Sequence, residues 1–288
     1  MVSYGQAAKA APESKLFDAS QLLRDIQTLS ADDMEGRSPR LPSMEKARGY
    51  VERRFSESGL VPIGTSFKQE FAISQRGKSE PIKGINYVGL IKGKTDPEKY
   101  IVITAHYDHE GVKDGKIYNG ADDNASGTSA LFTVASYYKK NHPDHSLIFV
   151  AFDAEELGLL GAQYFVANLP VAKESILLNV NLDMISRNDK GELYVVGTKA
   201  NPHLKPFLEQ VQKTAPVKLR LGHEEWTVQS DQAAFYAAKI PFIYFGVEDH
   251  KDYHKPTDDF SNIQPDFYVR AVETIIEAIQ KFDSGQAK

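Results

Sequence analysis

Histidine and carboxylate side chains recur along this chain beside segments that have the character of buried strands. His106 directly follows one apolar run, and Asp183 ends another. Between them, Glu155 and Glu156 follow a third apolar run. Open α/β sheets bind ligands at the carboxyl ends of their parallel strands, so these side chains are expected to converge there. Imidazole nitrogen with carboxylate oxygen suits zinc, and the pattern therefore predicts a hydrolytic site for two metal ions.

Two further candidates lie outside these runs. Asp123 stands in Asp122-Asp123-Asn124 at the start of a predicted helix, where a simple N-cap would need one such residue rather than three. A carboxylate held at a helix start suits a ligand that bridges two metals. His254 lies in a polar segment and, taken alone, is an ordinary loop histidine. The predicted ligand set is His106, Asp123, Glu156, Asp183 and His254.

Neighbours of these ligands have chemistry of their own. Glu155 is the candidate general base. Of two adjacent carboxylates, one can bind a metal ion while the other faces a water molecule. Tyr253 is placed to donate a hydrogen bond to a developing oxyanion. Asp108 is expected to accept the proton on the second ring nitrogen of His106 and so orient the ring. His109 is a rival for His106 but has no such acid two residues beyond it.

The charges of the predicted ligands balance those of two zinc ions. Asp123, Glu156 and Asp183 supply three negative charges, and a bridging hydroxide would supply the fourth. The ligand types favour Zn²⁺ and leave Co²⁺ or Mn²⁺ as possible substitutes. Met184 is a candidate for lining the pocket, although a methionine beside a strand is more often core packing.

Composition excludes several classes of protein. The chain has 288 residues, a net charge of −5 and no cysteine. The mild acidity argues against nucleic acid as the main partner, because phosphate binding needs clustered Lys and Arg. Without cysteine there is no disulfide, thiolate metal site or cysteine nucleophile. No apolar run reaches the ~18 residues of a membrane span.

The first residues bear on the cellular compartment. Met1–Ala10 has no apolar h-region and therefore shows no signal peptide. The small, polar beginning suits a mature N-terminus from which a leader has been removed. We expect a periplasmic or secreted protein, with the cytoplasm as the alternative.

Apolar patterning predicts the elements that must position these residues. Strands and helices alternate, which indicates an α/β fold with a mixed, mostly parallel central sheet flanked by helices on both faces. Residues 1–17 are predicted to be a loose leader and 18–288 a single domain, with 30–39 a polar loop. Predicted strands lie at 67–73, 85–91, 100–105, 146–152, 175–182, 193–196 and 240–245. Predicted helices lie at 18–29, 43–58, 128–140, 157–168, 203–214, 230–238 and 265–282.

The five motif segments, in this order, resemble the di-zinc exopeptidases of metallopeptidase family twenty-eight, the bacterial aminopeptidase type. The segments are Ala105–Asp108, Gly120–Asn124, Asp153–Gly158, Asn181–Met184 and Asp252–Pro256, and 33–37 and 59–60 resemble the family's N-terminal helices. The resemblance implies a zinc-peptidase sandwich of the phosphorylase-like kind, with no inserted lid domain between Phe71 and Gly84.

The resemblance also implies roles for single residues. His106 and Asp183 would bind one zinc ion, Glu156 and His254 the other, and Asp123 would bridge them. Glu155 would act first as general base and then as general acid, and a cis peptide is expected at Asp123–Asn124. Asp231 falls in a recurring family segment and is a candidate substrate-binding residue, although Gln232 replaces the usual histidine.

Three other functions remain open on the same residues. A glutaminyl cyclase shares the scaffold, uses a single zinc ion and forms pyroglutamate. A carboxypeptidase would cleave a peptide from its other end. A non-catalytic binding module would usually have lost ligands, and this chain retains all five. The expected partner is a peptide substrate. Nothing in the sequence indicates the oligomeric state.

Overall fold

The computed structural model describes residues 12–74, Gly77 and residues 79–285. Residues 1–11 of the predicted leader therefore lie outside the described residues. In the remainder of the leader, the Ser14 hydroxyl donates a 2.7 Å hydrogen bond to Glu273, and Phe17 packs against the main core. Among the described residues, no helix combines the length and the apolar character needed to cross a bilayer.

The described residues alternate between strands and helices. The strands are β1 (Val61–Pro62), β2 (Lys68–Ile73), β3 (Ile82–Ile91), β4 (Asp96–His106), β5 (Gly111–Lys113), β6 (Lys116–Tyr118), β7 (His145–Phe152), β8 (Ile176–Leu182), β9 (Glu192–Val196), β10 (Lys218–Leu221) and β11 (Phe242–Gly246). The α-helices are α1 (Ala19–Leu29), α2 (Met44–Glu57), α3 (Gly127–Lys140), α4 (Leu160–Ala167), α5 (Lys205–Thr214), α6 (Gln232–Ala237) and α7 (Pro265–Gly285).

Nine of these strands form one mixed sheet in the order β1-β3-β7-β4-β8-β11-β9-β10, with β2 also paired to β3. The four central strands β7, β4, β8 and β11 run parallel to one another. Strands β3 and β9 join this centre in antiparallel fashion on either side. The predicted fold class, a mixed and mostly parallel sheet between helices, is confirmed.

Alternating side chains of the central strands build two cores. Ile101, Ile103 and Phe149 belong to the larger core, which also holds buried residues of α1, α2, α3, α5 and α7. Val102 and Ile148 point to the opposite face, where α4 and α6 cover the sheet. Strands buried on both faces read as continuous apolar runs, which is why their positions could be predicted. The rigid centre of the sheet ends where the predicted ligands begin.

Four short strands had not been predicted, namely β1, β5, β6 and β10. Strands β5 and β6 form a hairpin whose turn is Asp114-Gly115, with φ of 50° and 72°. An Asp-Gly pair between short strands is a strong hairpin signal, because both turn residues need positive φ. Strand β10 pairs in parallel with β9 at the sheet edge and alternates polar and apolar residues over four positions, so it carries no continuous apolar run.

The prediction of a polar loop at 30–39 was wrong for its central part. Asp32–Arg37 forms a short 3-10 helix whose end turns through positive φ at Glu35, Gly36 and Arg37. This backbone directs the Arg37 side chain into the protein, where it is fully buried. A charged residue between polar neighbours gives no sequence signal of such burial.

Candidate active site

The predicted ligands meet at the carboxyl edge of the central strands. His106 is the last residue of β4, and Asp183 directly follows β8, the neighbour of β4 in the sheet. Glu156 comes four residues after the end of β7, on the other side of β4. Asp123 precedes α3, and His254 lies in the loop after β11. The structure thus brings together all five predicted ligands.

Their donor atoms form two groups that share Asp123. His106 Nε2 lies 3.3 Å from Asp183 Oδ1 and 3.4 Å from Asp123 Oδ1. His254 Nε2 lies 3.0 Å from Asp123 Oδ2 and 3.4 Å from Glu156 Oε2. Four ligands about 2.0–2.1 Å from a tetrahedral zinc ion lie about 3.3 Å from one another. His106, Asp123 and Asp183 form one candidate metal set, and around Glu156 the sets are His109 with Asp123 and Glu156, and Glu110 with Glu156 and His254. The donor spacing therefore fits two zinc ions, one on each side of Asp123.

The charge at this edge also fits cations. Asp123, Glu156 and Asp183 are buried or nearly so, and over the described ranges no Lys or Arg forms an ion pair with them. Burial raises the pKa of Asp123, and the adjacent Glu156 raises it further. Burial also acts to raise the pKa of Glu156, but contacts with His109 and His254 hold it below its usual value. Buried carboxylates without a cationic partner are costly, and a bound metal ion removes that cost.

Asp108 supports the site through both its backbone carbonyl and its carboxylate. His106 Nδ1 lies 3.2 Å from the Asp108 backbone carbonyl, whereas the nearer carboxylate oxygen is 3.7 Å away. The carboxylate instead accepts hydrogen bonds from the backbone N–H groups of Glu155 at 3.0 Å and Glu156 at 3.3 Å. The orientation of His106 by the Asp108 carboxylate, 3.7 Å from Nδ1, stays a prediction. The Asp108 carbonyl faces the ring, and its side chain fixes the turn that carries the two glutamates.

Asp258 and Asp259 closely follow His254 in the sequence, but their carboxylates bond elsewhere. Asp258 accepts hydrogen bonds from the backbone N–H groups of Asp122 and Asp123, both at 3.0 Å. Asp259 accepts from the N–H of Phe260. The Nδ1 atom of His254 faces Glu110 Oε1 at 3.8 Å. Asp258 therefore holds the backbone of the shared ligand, and the acid beside His254 comes from the segment after His106.

Glu155 is placed for proton transfer. It lines the same cavity as the five ligands. Burial raises its pKa well above the usual value; His106 lowers it, while Asp231 and Asp183 raise it further. A carboxylate with a raised pKa accepts a proton more readily near neutral pH, which is what a general base requires.

Tyr253 and Met184 also line this cavity, as predicted. The Tyr253 ring stacks on His254 with 4.0 Å between the ring centroids. Burial raises the pKa of the Tyr253 phenol far above its usual value, with Asp123 and Asp183 contributing, so the hydroxyl keeps its proton. A protonated phenol beside the ligands is a hydrogen-bond donor for an oxyanion.

Asp231 lies deeper than the cavity. It is fully buried, neither carboxylate oxygen has a hydrogen-bond partner among the described residues, and it does not line the cavity. Burial raises its pKa well above the usual value. Its neighbour Gln232 accepts from Asn181 and donates to the Trp226 carbonyl. The role of Asp231 in substrate binding stays a prediction.

The backbone around the site departs from common conformations. The peptide bond Asp123–Asn124 is cis, which confirms the expectation. Leu159, Met184 and His254 have φ between 52° and 62°, although none is glycine. A Cβ at Gly127 would overlap the Leu182 carbonyl, so α3 can approach β8 closely only with glycine there. Positive φ at non-glycine residues persists where surroundings enforce it, and such residues cluster at functional sites.

Comparison with known proteins places this site in a family. Residues 86–279, which contain all five predicted ligands and Glu155, match the model described as Peptidase family M28. The chain belongs to peptidase family M28. This confirms the family that the motif segments had suggested.

Individual relatives agree with that membership. Aminopeptidase YwaD of Bacillus subtilis is 31% identical over 206 residues, which cover 67% of this chain and 44% of that protein. The chain therefore spans less than half of the length of this relative. Among solved structures, BSAP, a zinc aminopeptidase from Bacillus subtilis, has a TM-score of 0.75 at 18% identity, covering 92% of this chain and 95% of that one. Glutaminyl cyclase from Porphyromonas gingivalis has a TM-score of 0.77 at 18% identity, covering 93% and 100%. Both share the fold.

The cavity of this M28 chain is small and acidic. It has a volume of about 290 Å³. Its walls include apolar side chains, an amide and four carboxylates, and neither Lys nor Arg lines it among the described residues. The lining residues are His106, Asp123, Glu155, Glu156, Gly158, Leu159, Asp183, Met184, Val228, Gln229, Tyr253 and His254.

Arg37 joins the backbone segments that carry the site, and sequence reasoning missed it. Its guanidinium donates to four backbone carbonyls, those of Leu29, Tyr107, Asn119 and Gly120, at 2.6–2.8 Å. Burial lowers its pKa to about 10, against the opposing effect of nearby carboxylates, so the group stays charged at neutral pH. Tyr107 follows the ligand His106, and Gly120 precedes the turn with Asp123. The buried Arg37 guanidinium therefore holds the backbone of both segments that carry these ligands.

Replacing Arg37 is expected to destabilise this M28 fold strongly. The change Arg37→Met would remove a donor from four buried carbonyls, of which that of Gly120 keeps the N–H of Ala125, and we expect the free energy of unfolding to fall by about 3 kcal/mol or more. Urea denaturation measures the loss. The matched control is Arg53→Met, since the Arg53 side chain is mostly exposed and stacks on Tyr50, and a change within about 0.5 kcal/mol is expected there. Equal losses in the two variants would contradict the role assigned to Arg37.

Proposed function

We propose that this chain is a zinc-dependent aminopeptidase that uses two zinc ions to hydrolyse the N-terminal peptide bond of its substrates. The observation that carries the proposal is the shared carboxylate. Asp123 offers one oxygen to the group of His106 and Asp183 and the other to the group of Glu156 and His254. Paired metal sites about 3.5–4 Å apart are typical of hydrolases, including aminopeptidases.

The charge of the cavity favours release from the amino end. Glu155 and the three acidic ligands line the cavity, and both lining histidines face those carboxylates. When two zinc ions neutralise the three acidic ligands, Glu155 remains as a carboxylate that attracts a free α-ammonium group. A carboxypeptidase must instead hold a C-terminal carboxylate, and no Lys or Arg of the described residues lines the cavity to do so.

The residues divide the chemistry between them. The zinc ions, when bound, would lower the pKa of a water molecule and polarise the scissile carbonyl. Glu155 takes a proton from the attacking water and returns it to the leaving amine, so no net proton is consumed. Tyr253 donates its hydroxyl hydrogen bond to the oxyanion that forms on the carbonyl oxygen. Asp108 keeps Glu155 in place through the backbone of the turn.

A substrate panel tests this function. Aminoacyl arylamides with a free amino group are expected to release arylamine, whereas the same compounds with an acetylated amino group are not. A chelator should abolish release, and added Zn²⁺ should restore it, because the catalytic water depends on the metal. Release of C-terminal residues from N-blocked peptides would favour a carboxypeptidase.

The same panel distinguishes a cyclase. A peptide that begins with glutamine should lose that glutamine as a free amino acid. Formation of pyroglutamate without release, together with one zinc ion per chain, would contradict the proposal and identify a glutaminyl cyclase. Metal analysis of the purified chain supplies the zinc count independently of any substrate.

A further inference from the structure

We infer that His109 is a positioning residue that holds Glu156, and through it the second zinc ion, by the carboxylate oxygen facing away from His254. This inference rests on the two-zinc function proposed above. His109 is one of the most deeply buried polar residues near the site, at 1% exposure, and is not one of the five predicted ligands, although with Asp123 and Glu156 it forms a set that could hold a metal ion.

The two oxygens of Glu156 have different neighbours. Oε2 lies 3.4 Å from His254 Nε2, on the side of the second metal group. Oε1 lies 2.8 Å from His109 Nδ1. Neither of these last two atoms forms a hydrogen bond of ordinary geometry within the described residues, each other included. Their 2.8 Å separation is a close contact between an imidazole and a carboxylate at the back of Glu156.

The distance separates a positioning role from direct ligation. Two ligands of one tetrahedral zinc ion lie about 3.3 Å apart, as the donors of both metal groups do. The His109–Glu156 contact, at 2.8 Å, is shorter than that spacing. His109 Nδ1 is 3.8 Å from the nearest oxygen of Asp123. His109 therefore acts behind Glu156 and does not replace His106 as a ligand.

The surroundings keep the His109 ring in this position. A Cβ at Gly120 would overlap the ring, so the imidazole lies directly on the backbone of that glycine. The His254 ring contacts it edge to face, with 5.8 Å between centroids. The backbone N–H of His109 donates to the Arg37 carbonyl at 3.3 Å. A ring held on three sides presents Nδ1 to Glu156 in advance of metal binding.

Removing this partner should weaken one zinc ion selectively. Groups that orient a metal ligand typically contribute about 10–100-fold in metal affinity. The variant His109→Phe keeps the ring volume and removes the nitrogen. The variant His109→Asn keeps a donor near the place of Nδ1. We expect His109→Phe to weaken one of the two zinc ions about 10–100-fold and His109→Asn to recover most of that loss.

Zinc titration of the metal-free protein against a chromophoric chelator gives both dissociation constants without any substrate. His145→Phe is the matched control. His145 is equally buried and its Nδ1 lies 2.9 Å from Asp283, but it begins β7 at the opposite edge of the sheet. Both zinc affinities should be unchanged in that control, even if its folding stability falls.

The outcomes separate the two proposals. A wild-type chain that binds one zinc ion refutes the two-zinc function and this inference with it. Two zinc ions in the wild type and unchanged binding in His109→Phe refute the inference alone. An equal loss of both zinc ions in His109→Phe would show a general structural role and also refute it. A selective loss that Asn does not recover would point to direct ligation by the ring instead.

Discussion

Replacing Glu155 by Gln is expected to lower kcat about 10³-fold or more while both zinc ions still bind. The amide has nearly the same shape as the carboxylate but cannot accept a proton. Glu155 lies beside the metal groups and its carboxylate makes no hydrogen bond to another described residue, so its loss leaves the ligand geometry in place. Steady-state hydrolysis of an aminoacyl arylamide, together with zinc analysis of the same sample, measures both effects.

The adjacent glutamate provides the matched comparison. Glu156→Gln is the same chemical change one residue along the chain, in the same turn fixed by Asp108. This variant is expected to lose zinc affinity, because Oε2 of Glu156 faces His254 in the second metal group. A Glu155→Gln variant with wild-type kcat, or one that loses zinc as Glu156→Gln does, would contradict the assignment of Glu155 as the proton carrier.

The positions of His106, Glu156 and Asp183 could be predicted because each follows a strand buried on both faces. Such strands read as continuous apolar runs, and their order along the chain places their carboxyl ends together. The two remaining ligands, Asp123 and His254, lie in loops without that support. They were found from unusual local sequence and from the family resemblance, and the structure brings both to the same edge.

The partners of the supporting acids could not be predicted in the same way. Asp108 was expected to contact the His106 ring, two residues away, but its carboxylate also accepts from the backbone of Glu155, which is 47 residues distant. Asp258 lies four residues after His254 and accepts from Asp123, at a separation of 135 residues. A carboxylate accepts from any suitably placed donor, so its choice of partner depends on tertiary packing that local sequence does not encode.

Arg37 shows the same limit more sharply. All of its partners are backbone carbonyls, and a carbonyl is present at every residue. No residue type or spacing in the sequence therefore marks the segments that Arg37 joins. The positive φ at Arg37, which turns the side chain inward, is likewise set by the surrounding structure rather than by an evident glycine or turn motif at that position.

The role of Asp123 differs from that of the other ligands because it belongs to both metal groups. Each of the other four ligands touches one group, so its removal leaves three donors for the other ion. Removal of Asp123 takes one donor from each group at once. It also removes the negative charge that lies between the two cations, where their mutual repulsion is strongest.

We therefore expect Asp123→Asn to lose both zinc ions and all measurable activity. Ligands stabilise the folded state by RT ln(1 + [L]/Kd), which is about 4 kcal/mol at a thousandfold excess over Kd. Adding Zn²⁺ should raise the Tm of the wild type and leave that of Asp123→Asn unchanged. The control is Asp122→Asn, because Asp122 is equally buried but bonds Ser186 and His250 instead of the ligands. That variant should start from a lower Tm and still respond to zinc. A zinc-dependent rise in Asp123→Asn equal to that of the wild type would show that the two metal groups do not share this carboxylate.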